Sequence, residues 1–158
     1  MRCACHVHPG FVHRQRRIAR ESAAQPLPDN SPHFVLKAPF AVGTQCQAPT
    51  TAYLLTRHNE FPSEIRHLHP SIPMNHQIEA LNHAVDTPAG HFDRCLRVKG
   101  LASVRIYADP TAGWRNMLLT TLEWYCVGVG LARMERSEPA KSAFLTGGTR
   151  TLELESWQ

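Results

Sequence analysis

The sequence predicts a mainly β fold, in which a single antiparallel meander forms a curved sheet or a partly open barrel. Apolar and polar residues alternate in several stretches between residues 74 and 157, the period at which alternate side chains share one face of a strand. Short turn sequences separate these stretches, whereas parallel neighbours need crossovers of about a dozen residues or more. No amphipathic helix of more than two turns is evident, although one could lie within residues 50–70. Consecutive strands should therefore pair antiparallel.

The chain divides into a tail and one domain. Its 158 residues are the length of a single domain. Residues 1–32 combine prolines, a basic cluster at residues 14–17 and grouped Cys and His residues, without apolar periodicity. We predict that this segment is a disordered tail or the product of a mis-annotated start, and that residues 33–158 form the β-rich domain.

In the first half of the domain, short strands are predicted around Cys46, over residues 51–56 and over residues 65–69. Pro49 should end or kink the first of them, because proline cannot donate to a ladder. The segment from residue 74 to residue 85 is a longer strand. Its apolar phase slips once, near Ala80 and Leu81, which predicts a β-bulge.

Turn signals order the second half of the domain. Pro88 and Gly90 occupy the second and fourth positions of a type I turn. A long strand follows from Phe92 and should bend at Gly100. A second turn, over residues 109–113, leads into a strand that begins at Trp114.

Residues 121–136 predict two strands joined by a bend at Gly128 and Gly130, because a residue without Cβ takes φ > 0 at little cost. Before the bend, one set of side chains should point into the core and the other set outward. The inward set is Leu122, Trp124 and Cys126, and the outward set is Thr121, Glu123 and Tyr125. Residues 137–142 should form a polar loop, and residues 149–157 the last strand.

Charge and hydropathy argue against nucleic-acid binding and against a membrane-spanning helix. The net charge is +4, but residues 1–32 hold five basic and two acidic residues, while the remaining residues hold twelve and eleven. The domain therefore lacks the basic stripe of a nucleic-acid-binding protein. No run of about 18 apolar residues could span a membrane as a helix, and the N-terminus lacks the apolar core of a signal peptide.

No catalytic residue, cofactor site or metal site is predicted. Paired carboxylates in a shared motif, a phosphate loop, a G-x-S-x-G elbow and an H-E-x-x-H pair are missing from the sequence. Two groups of residues have metal-ligand chemistry. They are Cys3, Cys5, His6 and His8 in the tail, and His67 and His69 with His58 or Glu64. Fortuitous clustering explains the first group and surface histidines explain the second.

Five cysteines are too few and too scattered for a disulfide scaffold. Cys95 and Cys126 could lie close together in neighbouring strands. In a reducing compartment they would be buried thiols, and in an exported protein they could form a bridge. The sequence leaves both states open.

Tyr107, Trp114 and Tyr125 are the candidate ligand-binding residues. They lie in strands that we expect to be bent, and no acid and base pair accompanies them. Together they could line the concave face of the curved sheet and bind an apolar ligand. Trp124, in the opposite phase to Tyr125, should only pack in the core.

Two separated motifs carry a resemblance to a known group of proteins. The first is Val85-x-x-Pro88-Ala89-Gly90-x-Phe92, and the second is Trp124-Tyr125-x-x-Gly128-Val129-Gly130-Leu131. In this order they resemble the turn and hairpin of uncharacterised bacterial exported proteins and lipoproteins. The resemblance covers residues 34–157 and implies a curved antiparallel sheet, a cell-envelope or periplasmic location and no catalytic residue.

From the motifs and the resemblance we expect a non-enzymatic cell-envelope protein that binds an apolar ligand or a protein partner on its curved sheet. The alternative function is a small enzyme without a recognisable motif, and the alternative location is the cytoplasm.

Overall fold

The computed structural model describes residue 36 and residues 38–57, 71–109, 111–140 and 145–157. The described residues form eight strands, which are β1 (Gln45–Thr50), β2 (Thr56–Arg57), β3 (Ile72–Thr87), β4 (Gly90–Asp109), β5 (Gly113–Cys126), β6 (Gly130–Glu138), β7 (Leu145–Thr146) and β8 (Gly148–Glu153). The predicted tail over residues 1–32 and the predicted strand over residues 65–69 lie outside them.

Six strands lie side by side in one open sheet, in the order β1-β3-β4-β5-β6-β8, and β2 and β7 form a separate pair. Every neighbouring pair is antiparallel. The predicted antiparallel meander with a mainly β composition is confirmed for the described residues. None of these residues lies in a helix that could cross a membrane.

The predicted turns and the glycine bend are present, and each uses a left-handed glycine. Gly90 has φ 133° at the β3–β4 turn and Gly113 has φ 64° at the β4–β5 turn. Gly128 and Gly130 have φ 78° and 90° in the bend between β5 and β6. A side chain at any of these positions would be strained, so the sequence signal for the reversals has a direct steric cause.

The predicted phase slip in β3 is confirmed. The β3–β4 register shifts three times between Ile78 and Val85, and Asn82 takes φ 54°. At Gly100, where a bend was predicted, the strand pairing is regular. Gly100 pairs with His76 on one side and with Thr121 on the other, without a register shift.

Several predicted boundaries are wrong. β1 continues through Pro49 to Thr50, which an edge strand tolerates because the proline nitrogen need not donate. Residues 51–55 form an irregular segment instead of a strand, and no helix occurs over residues 50–57. β6 continues to Glu138, in the predicted polar loop, and β8 ends at Glu153, four residues before the predicted end.

The sheet rolls so that one of its faces becomes the inside. Thr50 of β1 and Arg136 of β6 are separated by three strands in the sheet order. Even so, Nη1 of Arg136 donates to Oγ1 of Thr50 at 2.9 Å. Both side chains belong to the same face by strand pairing, so this face is concave. We call it the inner face, and the opposite one the outer face.

Two apolar clusters hold the roll together. The larger lies inside, towards the β4–β5 turn, and includes Met74, Val104, Met117, Leu119 and Leu145. The smaller contains residues near the glycine bend, including Val85, Cys95, Trp124, Cys126 and Val129, with Leu154 packed against it. Buried polar side chains occupy the inner face on the bend side of the larger cluster, and they form the first candidate site.

Candidate functional site

A row of polar residues crosses the inner face at one level of the sheet. Strand pairing places Cys46, His76, Gly100, Thr121 and Arg136 next to one another, from β1 through β3, β4 and β5 to β6. His76, Thr121 and Arg136 are each at most 5 % exposed. Gly100 in the middle of the row lets the side chains of its neighbours approach across β4. A Cβ there would clash with Oγ1 of Thr121 and lie 2.7 Å from Sδ of Met74.

Glu123 connects this row to Tyr125. Both residues lie on β5 in the inner phase, and the Tyr125 hydroxyl donates to Oε2 of Glu123 at 2.7 Å. The other carboxylate oxygen is 3.9 Å from Nε2 of His76. Tyr125, Glu123 and His76 therefore form a chain inside the roll.

Burial shifts the pKa values of this chain. It lowers the pKa of His76 below the ordinary value of 6.5, against the opposing effect of the Glu123 carboxylate. Nδ1 of His76 is buried and makes no hydrogen bond of acceptable geometry with the described residues. Burial, followed by Glu123, raises the pKa of Tyr125. His76 is therefore a neutral imidazole and Tyr125 a neutral phenol, and both lie beside Glu123.

The chemistry of this chain includes the pieces of a reactive centre. Cys46 lies opposite His76 in the β1–β3 pairing, so a thiol, an imidazole and a carboxylate are neighbours. However, His76 is 4 % exposed and Glu123 is 6 % exposed. A substrate must come within about 3 Å of a general base. In this conformation, the chain can tie strands together but has little surface to offer a substrate.

Glu138 is the most elaborate polar site. Oε2 of its carboxylate accepts hydrogen bonds from the backbone N–H groups of Tyr53, Leu54 and Leu55 at 3.0, 2.8 and 2.9 Å. Oε1 accepts from Nε of Arg136 at 2.6 Å. Glu138 is 1 % exposed. Such a buried carboxylate is tolerated only because its charge and lone pairs are satisfied.

Arg136 completes the attachment of the irregular segment, residues 51–55, to β6. Its Nη2 donates to the carbonyl of Thr51 at 2.7 Å, and its guanidinium lies 4.7 Å from the ring centroid of Tyr53. Arg136 and Glu138 thus hold residues 50–55 against β6. Sequence reasoning missed Glu138 because it assigned residues 137–142 to a loop. Residues 135–138 are all polar, so no apolar alternation marked the continuation of the strand to Glu138.

The outer face of β4 and β5 carries the second candidate site. Tyr107 pairs with Trp114, and their rings meet edge to face with centroids 5.8 Å apart. Leu118 and Leu101 follow in the same phase. Trp114, Leu118 and Leu101 are 51 %, 52 % and 40 % exposed. We call Leu101, Tyr107, Trp114 and Leu118 the outer apolar patch.

Tyr125 does not belong to this patch. It lies eleven positions after Trp114 on β5, an odd offset, and β4–β5 pairing is regular between the two residues, so their side chains point to opposite faces. The prediction that Tyr107, Trp114 and Tyr125 share the concave face is therefore wrong. Tyr107 and Trp114 are on the outer face, and Tyr125 is on the inner face with its hydroxyl bonded to Glu123.

The predicted structural motif residues lie together near the glycine bend. The Pro88–Gly90 turn is tied to the C-terminal segment, because the Ala89 N–H donates to the Leu154 carbonyl at 3.0 Å. Trp124 is buried on the outer face, as its predicted core role requires, and its Nε1 donates to Nδ1 of His83 at 3.2 Å. We predicted that Leu122, Trp124 and Cys126 point into the core and that the alternate residues of β5 point outward. This division is wrong. Thr121 and Glu123 are buried as well, inside the roll.

A disulfide joins Cys95 of β4 to Cys126 of β5. The two residues are direct neighbours in the ladder. In the next pair, the Val127 N–H donates to the Arg94 carbonyl, so Cys95 and Cys126 occupy a non-hydrogen-bonded position, where Cα atoms come closest. The structure thus contains the bridge that the sequence left open.

Among the described residues, no group of three or more His, Cys, Asp or Glu side chains could hold a metal ion. The candidate ligands in the tail and over residues 58–69 lie outside these residues. Comparison of the chain with protein-family models, curated proteins and solved structures gives no match. The functional proposal therefore rests on the residues and geometry described above.

Proposed function

We propose that the protein is a non-enzymatic binding protein of the cell envelope that holds an apolar ligand or a protein partner against the outer face of its curved sheet. The observation that carries the proposal is the exposure of Trp114, Leu118 and Leu101 on two adjacent strands. Covering apolar surface contributes about 25 cal/mol per Å². Contiguous exposed apolar surface commonly marks an interaction site.

The Cys95–Cys126 disulfide supports the envelope location. Disulfides form and persist in oxidising compartments such as the periplasm and are rare in the cytosol, where thiols are kept reduced. The resemblance of the two sequence motifs to exported bacterial proteins points to the same compartment.

The alternative is a small enzyme that uses Cys46, His76 and Glu123. The specific observation in its favour is the proximity of His76 to a carboxylate and to a thiol-bearing strand. The enclosure of His76 and Glu123 argues against it, because both must touch a substrate to act on it. Exposed apolar surface supports the binding function directly, and we therefore give it precedence.

A double variant tests the binding function. Trp114→Ser with Leu118→Ser removes the most exposed apolar side chains of the patch, and Val127→Ser removes an apolar side chain that is 72 % exposed in the glycine bend. Protein purified from its native host would be analysed by native mass spectrometry for bound molecules. We expect wild type and Val127→Ser to retain a ligand or partner that the double variant loses. If all three carry the same cargo, or none, the outer face is not the binding surface.

The same preparation distinguishes the enzyme alternative. His76→Gln leaves the outer face intact, so a binding protein should keep its cargo in this variant. A folded His76→Gln protein that retains its cargo but loses its cellular function would favour the enzyme.

Thiol labelling in intact cells tests the compartment. After acid quenching, Cys95 and Cys126 should resist a maleimide reagent before reduction and react after it. If both react before reduction, the protein resides in a reducing compartment, and the proposed envelope location is wrong.

A further inference from the structure

Basic residues accompany the outer apolar patch on β4. Arg97, Lys99 and Arg105 lie in the outer phase of this strand, together with Leu101 and Tyr107. Arg115 of β5 pairs with Ile106 and belongs to the inner face. Three cations of one strand thus share the face that carries the patch.

The basic residues are arranged along the patch. At one end, Glu79 of β3 pairs with Arg97 and Lys99 at 3.3 and 3.5 Å. At the other end, the guanidinium of Arg105 lies 5.5 Å from the ring centroid of Trp114. A cation and exposed aromatic surface therefore occur together near the β4–β5 turn.

The patch has the chemistry of a surface that lies on a lipid headgroup layer. On β4, Ser103 and Arg105 lie between Leu101 and Tyr107, and on β5, Asn116 lies between Leu118 and Trp114. These polar side chains separate the apolar ones, so the patch is open and encloses no pocket. Interface hot spots between proteins usually fill enclosed pockets. Tryptophan and tyrosine rings are instead enriched at the membrane–water boundary, where arginine extends its cation to the headgroups.

We propose that the outer apolar patch binds the surface of a bilayer that contains anionic lipid. Trp114, Leu118 and Leu101 enter the boundary between headgroups and acyl chains, and Arg105 contacts lipid phosphates. The proposal rests on the proposed function, because it names the partner of the same face.

Vesicle partitioning of the full chain tests the proposal. The probes are large vesicles of phosphatidylcholine alone and of phosphatidylcholine with 30 % phosphatidylglycerol. We expect binding to the anionic vesicles with a blue shift of tryptophan emission, and at least tenfold weaker binding to the neutral ones. Trp114→Ser with Leu118→Ser should reduce partitioning into anionic vesicles at least tenfold. Arg105→Gln should reduce it about fivefold, the typical effect of one basic residue near an anionic surface.

Two controls separate the patch from other surfaces. Trp157 is 48 % exposed and lies outside the patch, so Trp157→Ser should partition as wild type does. The tail contains Arg14, Arg16 and Arg17, which could attract anionic vesicles without the patch. A variant with all three changed to Gln should keep the emission shift. If it loses binding while the Trp114→Ser, Leu118→Ser variant keeps it, the proposal is overturned.

Other outcomes also decide the question. Absence of wild-type binding to anionic vesicles overturns the lipid proposal. If, in that case, the Trp114→Ser, Leu118→Ser variant still loses a co-purified protein, the proposed function stands and its partner is a protein. If the protein binds monomeric dihexanoyl-phosphatidylglycerol as tightly as it binds vesicles, the bilayer proposal is also overturned, because that result would indicate a site for a single lipid molecule. The circular dichroism spectra and unfolding midpoints of all variants must match wild type. For the substitutions at Arg105, Trp114, Leu118 and Trp157 we expect this because these side chains are exposed.

Discussion

Individual buried residues determine how closely the strands approach inside the roll. Gly100 leaves space for Thr121 and Met74, and His76 is enclosed beside Glu123. Neither feature follows from the residue type alone. The alternating pattern identified the strands that carry these residues, but the space around a glycine and the protonation of a histidine depend on contacts between strands that are distant in the sequence.

Gly100→Ala should destabilise the protein by about 1–3 kcal/mol, the usual cost of an overpacked interior. The added Cβ would meet Oγ1 of Thr121 and Sδ of Met74. Gly148→Ala is the matched control, because nothing lies within 4 Å of a Cβ at that position. Urea unfolding of both variants measures the difference. Equal stability of Gly100→Ala and wild type would show that the row on the inner face is loosely packed.

Acid should destabilise the protein through His76. Burial lowers the pKa of His76 in the folded state below its ordinary value of 6.5, so the unfolded chain binds the proton more strongly. The stabilising effect of the neutral ring is complete above pH 6.5 and is lost as the pH falls through the folded-state pKa. Urea midpoints between pH 7.5 and 5 should therefore fall more steeply for wild type than for His76→Gln.

His91 provides a control of opposite sign. Its hydrogen bond to Asp86 raises the pKa of this exposed ring, so its stabilising effect is present below pH 6.5 and disappears as the pH rises through the folded-state pKa. His91→Gln should leave the acid destabilisation in place. Parallel pH profiles of wild type and His76→Gln would mean that His76 does not cause it.

At the scale of elements, one carboxylate attaches an irregular segment to a strand. Residues 51–55 have no ladder of their own, and the backbone N–H groups of Tyr53, Leu54 and Leu55 donate instead to Glu138 of β6. This arrangement shows why their apolar composition was misread as a strand. A side-chain acceptor from a distant strand replaced the strand neighbour that the local pattern required.

Glu138→Gln should destabilise the protein by about 3 kcal/mol, because it leaves the Arg136 cation buried without its carboxylate. Hydrogen exchange should also accelerate at the amides of Tyr53, Leu54 and Leu55, which measures the release of the segment directly. Glu153→Gln is the control, since the pair between Glu153 and Arg133 is partly exposed and should contribute less than about 1 kcal/mol. Unchanged exchange in Glu138→Gln would contradict the role of this carboxylate.

At the scale of the whole molecule, the curvature of the sheet places on the outer face two of the aromatic residues that we expected on the concave one. Strand order, the turns and the glycine bend could be predicted from alternation and turn residues, because these signals are local. The curvature could not. It depends on contacts such as that between Thr50 and Arg136, which place polar residues inside and leave Trp114 and Leu118 outside.

The direction of the curvature also explains the error at two of the predicted ligand-binding residues. Sequence reasoning grouped Tyr107 with Trp114, and the two rings are in contact. It assigned them to the wrong face because it could not tell which side of the sheet becomes concave. The Cys95–Cys126 bridge could be named only as one possibility, since redox state is set by the compartment as well as by distance.

The most direct test of the account is hydroxyl-radical footprinting of the full chain with and without anionic vesicles. The outer face is proposed as the binding surface. Trp114 should therefore be oxidised readily in the free protein, and the vesicles should protect it at least several-fold. Tyr125, inside the roll with its hydroxyl bonded to Glu123, should react slowly in both conditions. Protection of Tyr125 without any change at Trp114 would contradict the account, because it would place the binding site on the inner face.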